Sequence, residues 1–223
     1  MVMCDCANAQ STVVQSSIVT FPISGRVVIE ARENAHFYPE MVFRSKKSGK
    51  VLLRSSIRDE LLMPNGGPQP QVRYRSFEDT SHGPMIMAIA IAHGGSDNGY
   101  YLAMYSEING RIARLNRNPI AAPIQGGYYY GRLDRKYGRG LAVWSFIWDK
   151  DGRKPHEAHY DNHYYENEIY VLNGSRLMRI LKRNSRRMYD SPDGYKSFRE
   201  IGIRVTDQRK LIRIIRDNID LGS

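Results

Sequence analysis

Three β-hairpins with a glycine at the turn are predicted at nearly even spacing along the chain. They span Met41–Arg54, Leu102–Leu115 and Ile169–Leu181, and their turn glycines recur about every 60 residues. A long, nearly constant period is typical of repeated supersecondary units, each of which needs a neighbour to bury its apolar face. The Asn109-Gly110 and Asn173-Gly174 pairs favour type I′ turns, in which both central residues have positive φ.

Two further segments are apolar on both faces when written as strands. Met85–Ala92 and Leu141–Trp148 each follow a loop of the form Asp-x-x-x-Gly, at Asp79–Gly83 and Asp134–Gly138. Continuous apolar runs of this length fit central strands that are covered on both sides. A buried helix is the alternative, but eight residues are few for one and glycine-containing loops flank each run.

These patterns predict an all-β protein. We expect a propeller-like array of antiparallel four-stranded units, with a β-sandwich or a curved open array as the alternative. A fourth unit is predicted from the N-terminal strands, Val13–Pro22 and Arg26–Arg32, together with Phe198–Val205 and the closing segment Leu211–Ile215. Nothing in the composition marks a boundary, so the repeats are expected to form one domain, residues 12–223.

The N-terminal residues bear on the cellular location. Residues 1–11 are predicted to be a disordered lead-in or the remnant of a signal peptide, because residues 7–9 read Ala-Asn-Ala, which resembles a secretory cleavage site. We expect an exported protein, secreted or periplasmic, and a cytoplasmic location stays open. Cys4 and Cys6 are the only cysteines, so the rest of the chain has no disulfide or thiolate metal site. No apolar run approaches the ~18–20 residues of a membrane span.

The Asp/Gly loops resemble those of a known repeat family. Phe77–Met87 and Leu133–Leu141 are similar to the FG-GAP/VCBS type of β-propeller repeat, in which an Asp-rich loop ending in glycine leads into a buried strand. In that family the loop often holds calcium. Calcium needs several oxygen ligands at alternating positions, whereas Asp134 is followed by Arg135 and Lys136. We therefore expect no calcium in these loops.

The chain is strongly basic, with a formal net charge of +10 and an isoelectric point near 9.6. Such a surface favours an anionic partner, although charge spread along strands also serves only to solvate an outer face. The densest basic cluster consists of Arg176, Arg179, Lys182, Arg183, Arg186 and Arg187. Nucleic acid is not the expected partner, because the sequence has no helix-turn-helix, zinc-finger or RNP-like signature.

A histidine-rich segment, His156–His163, is the candidate for metal chemistry. If it is extended, Glu157, His159, Asp161 and His163 share one face, because side chains alternate along a strand. Imidazoles and a carboxylate suit zinc or another divalent metal. Same-face neighbours lie about 6.5–7 Å apart, so a tetrahedral site needs a bend or another ligand. The alternative is a polar loop, and no other cofactor is predicted.

Two functions follow from these candidates. The preferred one is a non-enzymatic β-repeat protein that binds a protein or an anionic envelope polymer, for instance as an inhibitor of a wall-degrading enzyme. Tyr160 and Tyr164 join the basic cluster in this hypothesis, since tyrosine gives contact area with a polar handle. The alternative is a metal-dependent hydrolase, with His159, Asp161 and His163 as ligands and Glu157 as general base. The chain has no Gly-x-Ser-x-Gly, dinucleotide or Walker motif.

The metal hypothesis makes a direct prediction. Zinc is expected to raise the melting temperature of metal-stripped protein, because a ligand that binds only the folded state stabilises it. Differential scanning fluorimetry with and without zinc measures the shift. An unchanged melting temperature at saturating zinc would remove the site.

Overall fold

The computed structural model describes residues 12–34, 37–57, 71–79, 83–94, 97–122, 126–147 and 162–205. Within these residues the protein is nearly all β, and its strands form antiparallel sheets of four or five strands. The prediction of an all-β protein made of antiparallel four-stranded units is therefore confirmed.

Each sheet is a meander whose main strands lie in chain order. The first sheet consists of β1 (Thr12–Phe21), β2 (Gly25–Asn34), β3 (Phe37–Ser45) and β4 (Val51–Ser56). The second consists of β5 (Gln71–Asp79), β6 (Gly83–Gly94), β7 (Asp97–Ile108), β8 (Arg111–Arg114) and the short β9 (Ile120–Ala122), which pairs with β7. The third consists of β10 (Gly127–Asp134), β11 (Gly138–Ile147), β12 (Tyr164–Asn173) and β13 (Arg176–Asn184).

The first hairpin of every sheet closes on the same kind of residue pair. The last paired residues of its two strands are four apart in sequence: Phe21 with Gly25, Asp79 with Gly83 and Asp134 with Gly138. The closing glycines have φ of 68°, 69° and 66°, a left-handed conformation that side chains with a Cβ rarely adopt. The Asp and Gly of the two Asp-x-x-x-Gly motifs are thus the closing pairs of the first hairpins in the second and third sheets. In the first sheet the corresponding pair has a phenylalanine, Phe21, in place of the aspartate.

The hairpin between the third and fourth strands of each sheet also turns at a glycine, but the turns differ. Asn109 and Gly110 have φ of 49° and 75°, so this turn is type I′ as predicted. In the third sheet Asn173 ends β12 and Gly174, with φ of 58°, is the first of two central residues. This placement is that of a type II′ turn, so the prediction of type I′ is wrong there. The first sheet has a longer loop, between Ser45 and Lys50.

The two apolar strands occupy the predicted central positions. β6 lies between β5 and β7, and its residues Met85–Ile91 are at most 5% exposed. β11 lies between β10 and β12, and Leu141–Trp144 are at most 1% exposed. Neither run is helical, so the alternative of a buried helix is wrong. Trp148 lies outside the described residues.

The predicted fourth unit is wrong. β1 and β2 belong to the first sheet, where β1 pairs with β2 and β2 with β3. Phe198–Val205 contains the end of a 3-10 helix, Ser191–Ile201, rather than a strand. Pro192 fits the first turn of this helix because its missing N–H has no helical partner there. Gly202 ends the helix with φ of 78°. Leu211–Ile215 lies outside the described residues.

The helix packs on the third sheet because three residues per turn place every third side chain on one face. Tyr195, Phe198 and Ile201 have this spacing, and all three belong to or pack against the apolar core of the third sheet. The Phe198 ring is fully buried, with its centroid 6.2 Å from that of Trp144 in an edge-to-face arrangement. A Cβ at Gly194 would lie 2.3 Å from the Tyr165 ring, so this close approach requires glycine.

The described chain divides into two compact units. One holds the residues up to Ala92 together with Tyr101–Ile120, and the other holds His93–Tyr100 and the residues from Ala121 onward. The propeller-like array and the single domain of residues 12–223 stay predictions.

Within the first unit, side chains satisfy the free backbone groups of neighbouring elements. The Tyr74 amide donates to Gln15 Oε1 at 2.8 Å, and Gln15 Nε2 donates to the Tyr74 carbonyl at 3.0 Å. The Gln15 amide thus takes the place of an adjacent strand at the edge of β5. The Glu107 carboxylate accepts the Ile23 amide at 2.8 Å and the Ser24 amide at 2.5 Å. Burial of the Glu107 carboxylate acts to raise its pKa. Hydrogen bonds from Ser24 and Ile23 outweigh this effect, so the pKa of Glu107 is below its usual value.

The packing of the helix predicts the effect of truncating Phe198. Phe198→Ala should lower the free energy of unfolding by about 3–5 kcal/mol, because it leaves a cavity against Trp144. Urea denaturation measures the loss. Met178→Ala is the control, since Met178 is 47% exposed and its truncation should change stability by about 0.5 kcal/mol or less. Similar losses in the two variants would show that the helix is not part of the core.

Candidate functional site

The predicted basic cluster lies on the outer strand of the third sheet and in the segment that follows it. β13 pairs with β12 on one side, and no described strand pairs with its other side. The six basic side chains are all exposed: Arg176, Arg179, Lys182 and Arg183 on β13, and Arg186 and Arg187 beyond it. The structure therefore brings the predicted residues together along one edge of a sheet.

Two of the six cations are paired with carboxylates of β12. Arg179 Nη1 lies 2.7 Å from Glu168 Oε1, and Lys182 Nζ lies 2.8 Å from Glu166 Oε2. Glu166 and Glu168 share a face because alternate residues of a strand point to the same side. Glu168 raises the pKa of Arg179, and Glu166 raises that of Lys182. These two cations are partly neutralised within the sheet.

Tyr170 lies next to the ion pair of Arg179 and Glu168. It lies directly opposite Arg179, and its hydroxyl donates to Glu168 Oε2. Burial and the neighbouring Glu168 carboxylate raise the pKa of Tyr170, so it stays a neutral donor at physiological pH. The register of β12 and β13 shifts between Ile169 and Tyr170, which leaves Ile180 as the extra residue of a β-bulge. A bulge and exposed charges are features that protect an edge strand from pairing with another strand.

The side chains of the other four cations are not held in ion pairs of this kind. Arg176, Arg183, Arg186 and Arg187 form no ion pair with any residue that the structure describes. Four exposed arginines on one edge present guanidinium groups that can donate to oxyanions.

Glu200 of the helix holds the segment after β13 in place. Its carboxylate accepts the backbone amides of Arg186 at 2.7 Å and Arg187 at 3.0 Å, and the Tyr189 hydroxyl at 2.9 Å. Burial opposes ionisation of Glu200, but these hydrogen bonds and the Arg186 charge keep its pKa below the usual value. The bonds use the backbone of the two arginines, whose side chains stay exposed.

A second basic group was missed in the sequence. The hairpin between β10 and β11 carries exposed Arg132, Arg135, Lys136 and Arg139. The sequence signal for this group is four basic residues within eight positions. Since Leu141 pairs with Tyr170, this hairpin and the β12–β13 turn with Arg176 lie at the same end of the sheet.

Three of the four predicted metal ligands, Glu157, His159 and Asp161, lie outside the described residues. The candidate contact residue Tyr160 lies outside them as well. His163 is described and is 1% exposed, and its ring centroid lies 3.8 Å from that of Phe146. Its backbone exchanges hydrogen bonds with Tyr189. Among the described residues, no group of three or more His, Cys, Asp or Glu side chains is placed to hold a metal ion. The metal site stays a prediction. Tyr164 is half-buried at the start of β12.

Comparison with protein-family models, curated proteins and solved structures finds no match to this chain. The resemblance to the FG-GAP/VCBS repeat stays a prediction that depends on the Asp/Gly loops. In the described part of the chain, no helix combines the length and apolar character needed to cross a bilayer.

The environment of Glu200 predicts a pH-dependent contribution to stability. Because its pKa is lowered in the folded protein, the carboxylate stabilises the fold above the unfolded value of about 4.5, and this is lost as pH falls through the folded pKa. Glu200→Gln should lower the free energy of unfolding by about 1 kcal/mol at pH 7, and the difference from the native protein should shrink below pH 4.5.

Urea denaturation at several pH values measures this difference. Glu40→Gln is the comparison, because it removes a surface ion pair with Arg54 and should cost about 0.5 kcal/mol or less. A constant difference for Glu200→Gln across this pH range would contradict the assignment.

Proposed function

We propose that this chain is a non-enzymatic binding protein that recognises an anionic macromolecule, either a protein or an envelope polymer, through the basic edge of its third sheet. The observation that carries the proposal is the group of four exposed arginines, Arg176, Arg183, Arg186 and Arg187, whose side chains form no ion pair with any described residue. An exported location, secreted or periplasmic, is part of the proposal, because it brings the protein into contact with envelope polymers.

The chemistry of arginine supports an oxyanion partner. Each guanidinium group is always charged and offers donors in a planar fork that fits carboxylates and phosphates. Arg179 and Lys182 contribute less, since Glu168 and Glu166 already compensate their charge. Recognition by several exposed charges gives fast association and strong dependence on salt.

The bulge at Ile180 favours side-chain recognition over strand addition. A partner strand needs a regular row of backbone donors and acceptors, and a bulge interrupts that row. The proposed partner therefore contacts the arginine side chains and does not extend the sheet. The metal-dependent hydrolase stays the alternative for Glu157, His159, Asp161 and His163.

Binding of labelled polyglutamate and polyphosphate, followed by fluorescence anisotropy, tests the proposal. Both probes should bind at low salt and weaken steeply as salt rises. The double variant Arg183→Glu with Arg187→Glu should weaken binding by about 10-fold or more, because it reverses two charges at the site.

The matched control is Lys46→Glu with Lys47→Glu, which makes the same change in net charge at the exposed loop of the first sheet. It should weaken binding by about 3-fold or less, through long-range charge alone. Equal losses in the two double variants, or no binding to either probe at low salt, would refute the proposal.

A further inference from the structure

The exposed apolar side chains of the unit that contains the third sheet lie within its basic cluster. Among the described residues of this unit, the exposed large apolar side chains are Met178 at 47%, Ile180 at 43% and Met188 at 36%. All three belong to the same stretch of chain as the six basic residues. A single exposed apolar residue is ordinary, but three among arginines make a surface that is both apolar and basic.

The register of β12 and β13 places an apolar residue between two arginines on one face of the sheet. Arg176, Met178 and Arg183 pair with positions 173, 171 and 167 of β12, so all three project from the same face. Leu181, which is half-buried, pairs with position 169 and lies on that face between Met178 and Arg183. It is the face that the 3-10 helix covers, because Val171 packs against the same apolar core as the helix. On β13, however, Arg176, Met178 and Arg183 stay exposed.

The β-bulge adds Ile180 to this apolar surface. Ile180 is the extra residue of the register shift, and it stands next to no single residue of β12. A bulge changes the direction of a side chain and interrupts regular pairing. Protection of an edge strand favours a charged residue at such a position, whereas isoleucine suits contact with an apolar partner. Met178 is held beside the β12–β13 turn, because Asn173 Nδ2 lies 3.5 Å from its Sδ.

We propose that this surface of β13 and the segment after it binds the anionic face of a lipid bilayer. The guanidinium groups of Arg176 and Arg183 donate to lipid phosphates, and Met178 and Ile180 enter the boundary between headgroups and acyl chains. Arginine suits this position because its apolar stem lies along the acyl boundary while its charge stays among the headgroups. The inference goes beyond the proposed function, because it adds a lipid surface as a second partner of the basic cluster.

The apolar side chains distinguish a lipid surface from other anionic partners. Polyphosphate and polyglutamate offer charge but little apolar surface in which Met178 and Ile180 can be buried. A protein partner needs a fitted pocket for each apolar side chain, whereas fluid acyl chains accept side chains of any shape. Charge alone gives binding that salt screens strongly, so the apolar contacts are the property to test.

Co-sedimentation with vesicles tests the inference. The protein should bind vesicles made of equal parts phosphatidylcholine and phosphatidylglycerol, and it should not bind vesicles of phosphatidylcholine alone. Met178→Ser with Ile180→Ser should weaken binding to the anionic vesicles by about 10-fold or more, because two apolar side chains lose their burial. The same double variant should change polyphosphate binding by about 2-fold or less, since its charge is unchanged.

The matched control is Val13→Ser with Ile18→Ser, which removes two apolar side chains of similar exposure from β1. It should leave binding to both ligands unchanged. Ile180→Trp gives a readout that does not depend on a loss of binding. Relative to native protein, its fluorescence emission should shift to shorter wavelength with anionic vesicles but not with polyphosphate, because the indole enters the membrane interface. Ile18→Trp should show no shift with either ligand.

Comparison of the ligands separates this inference from the proposed function. Polyphosphate binding without binding to anionic vesicles would overturn the lipid surface and keep the anion-binding function. Vesicle binding that the Met178→Ser and Ile180→Ser double variant leaves unchanged, or that neutral vesicles share, would also contradict the inference. An equal loss of polyglutamate binding in that variant would assign the apolar side chains to a protein partner instead. No binding to any anionic ligand would refute both proposals.

Discussion

The structure depends on covering strands that are apolar on both faces. Met85–Ile91 and Leu141–Trp144 are buried across their whole width, so each must lie inside a sheet and each face needs a cover. In the third sheet the 3-10 helix covers one face through Phe198, against Trp144. Because packing occupies the sheet interior, polar recognition is left to strand edges and hairpin ends.

Ion pairing with carboxylates differs between the first unit and the third sheet. In the first unit, Arg54 of β4 pairs with Glu40 of the adjacent β3, and Arg73 of β5 pairs with Glu33 of β2. In the third sheet, Glu166 and Glu168 neutralise only part of β13. The excess of exposed arginine on β13 and in the segment after it is therefore only partly compensated by carboxylates of the same sheet.

Local patterns made much of the fold predictable. The apolar runs and turn glycines are short-range signals, and they located β6, β11 and the hairpin between the third and fourth strands of each sheet. The 3-10 helix was missed because Phe198, Ile201, Ile203 and Val205 include the alternation of a strand. Only packing against Trp144 distinguishes the period of three from that pattern.

The sequence predicts which basic residues form the candidate site, but it does not predict how their side chains are arranged and paired. The sequence shows six basic residues between positions 176 and 187, yet their pairing with Glu166 and Glu168 depends on the register of β12 and β13 and on the bulge at Ile180. In the same way, only the register of β10 and β11 places Arg132 opposite Arg139. Strand register is set by long-range packing, which a linear pattern does not contain.

Backbone amide chemical shifts of labelled protein, recorded during titration with polyphosphate, test most directly where anions bind. The account predicts that the largest changes fall between residues 176 and 187, with little change at the Gly49 and Gly110 turns. Changes spread evenly over all three sheets, or centred on the first, would contradict it.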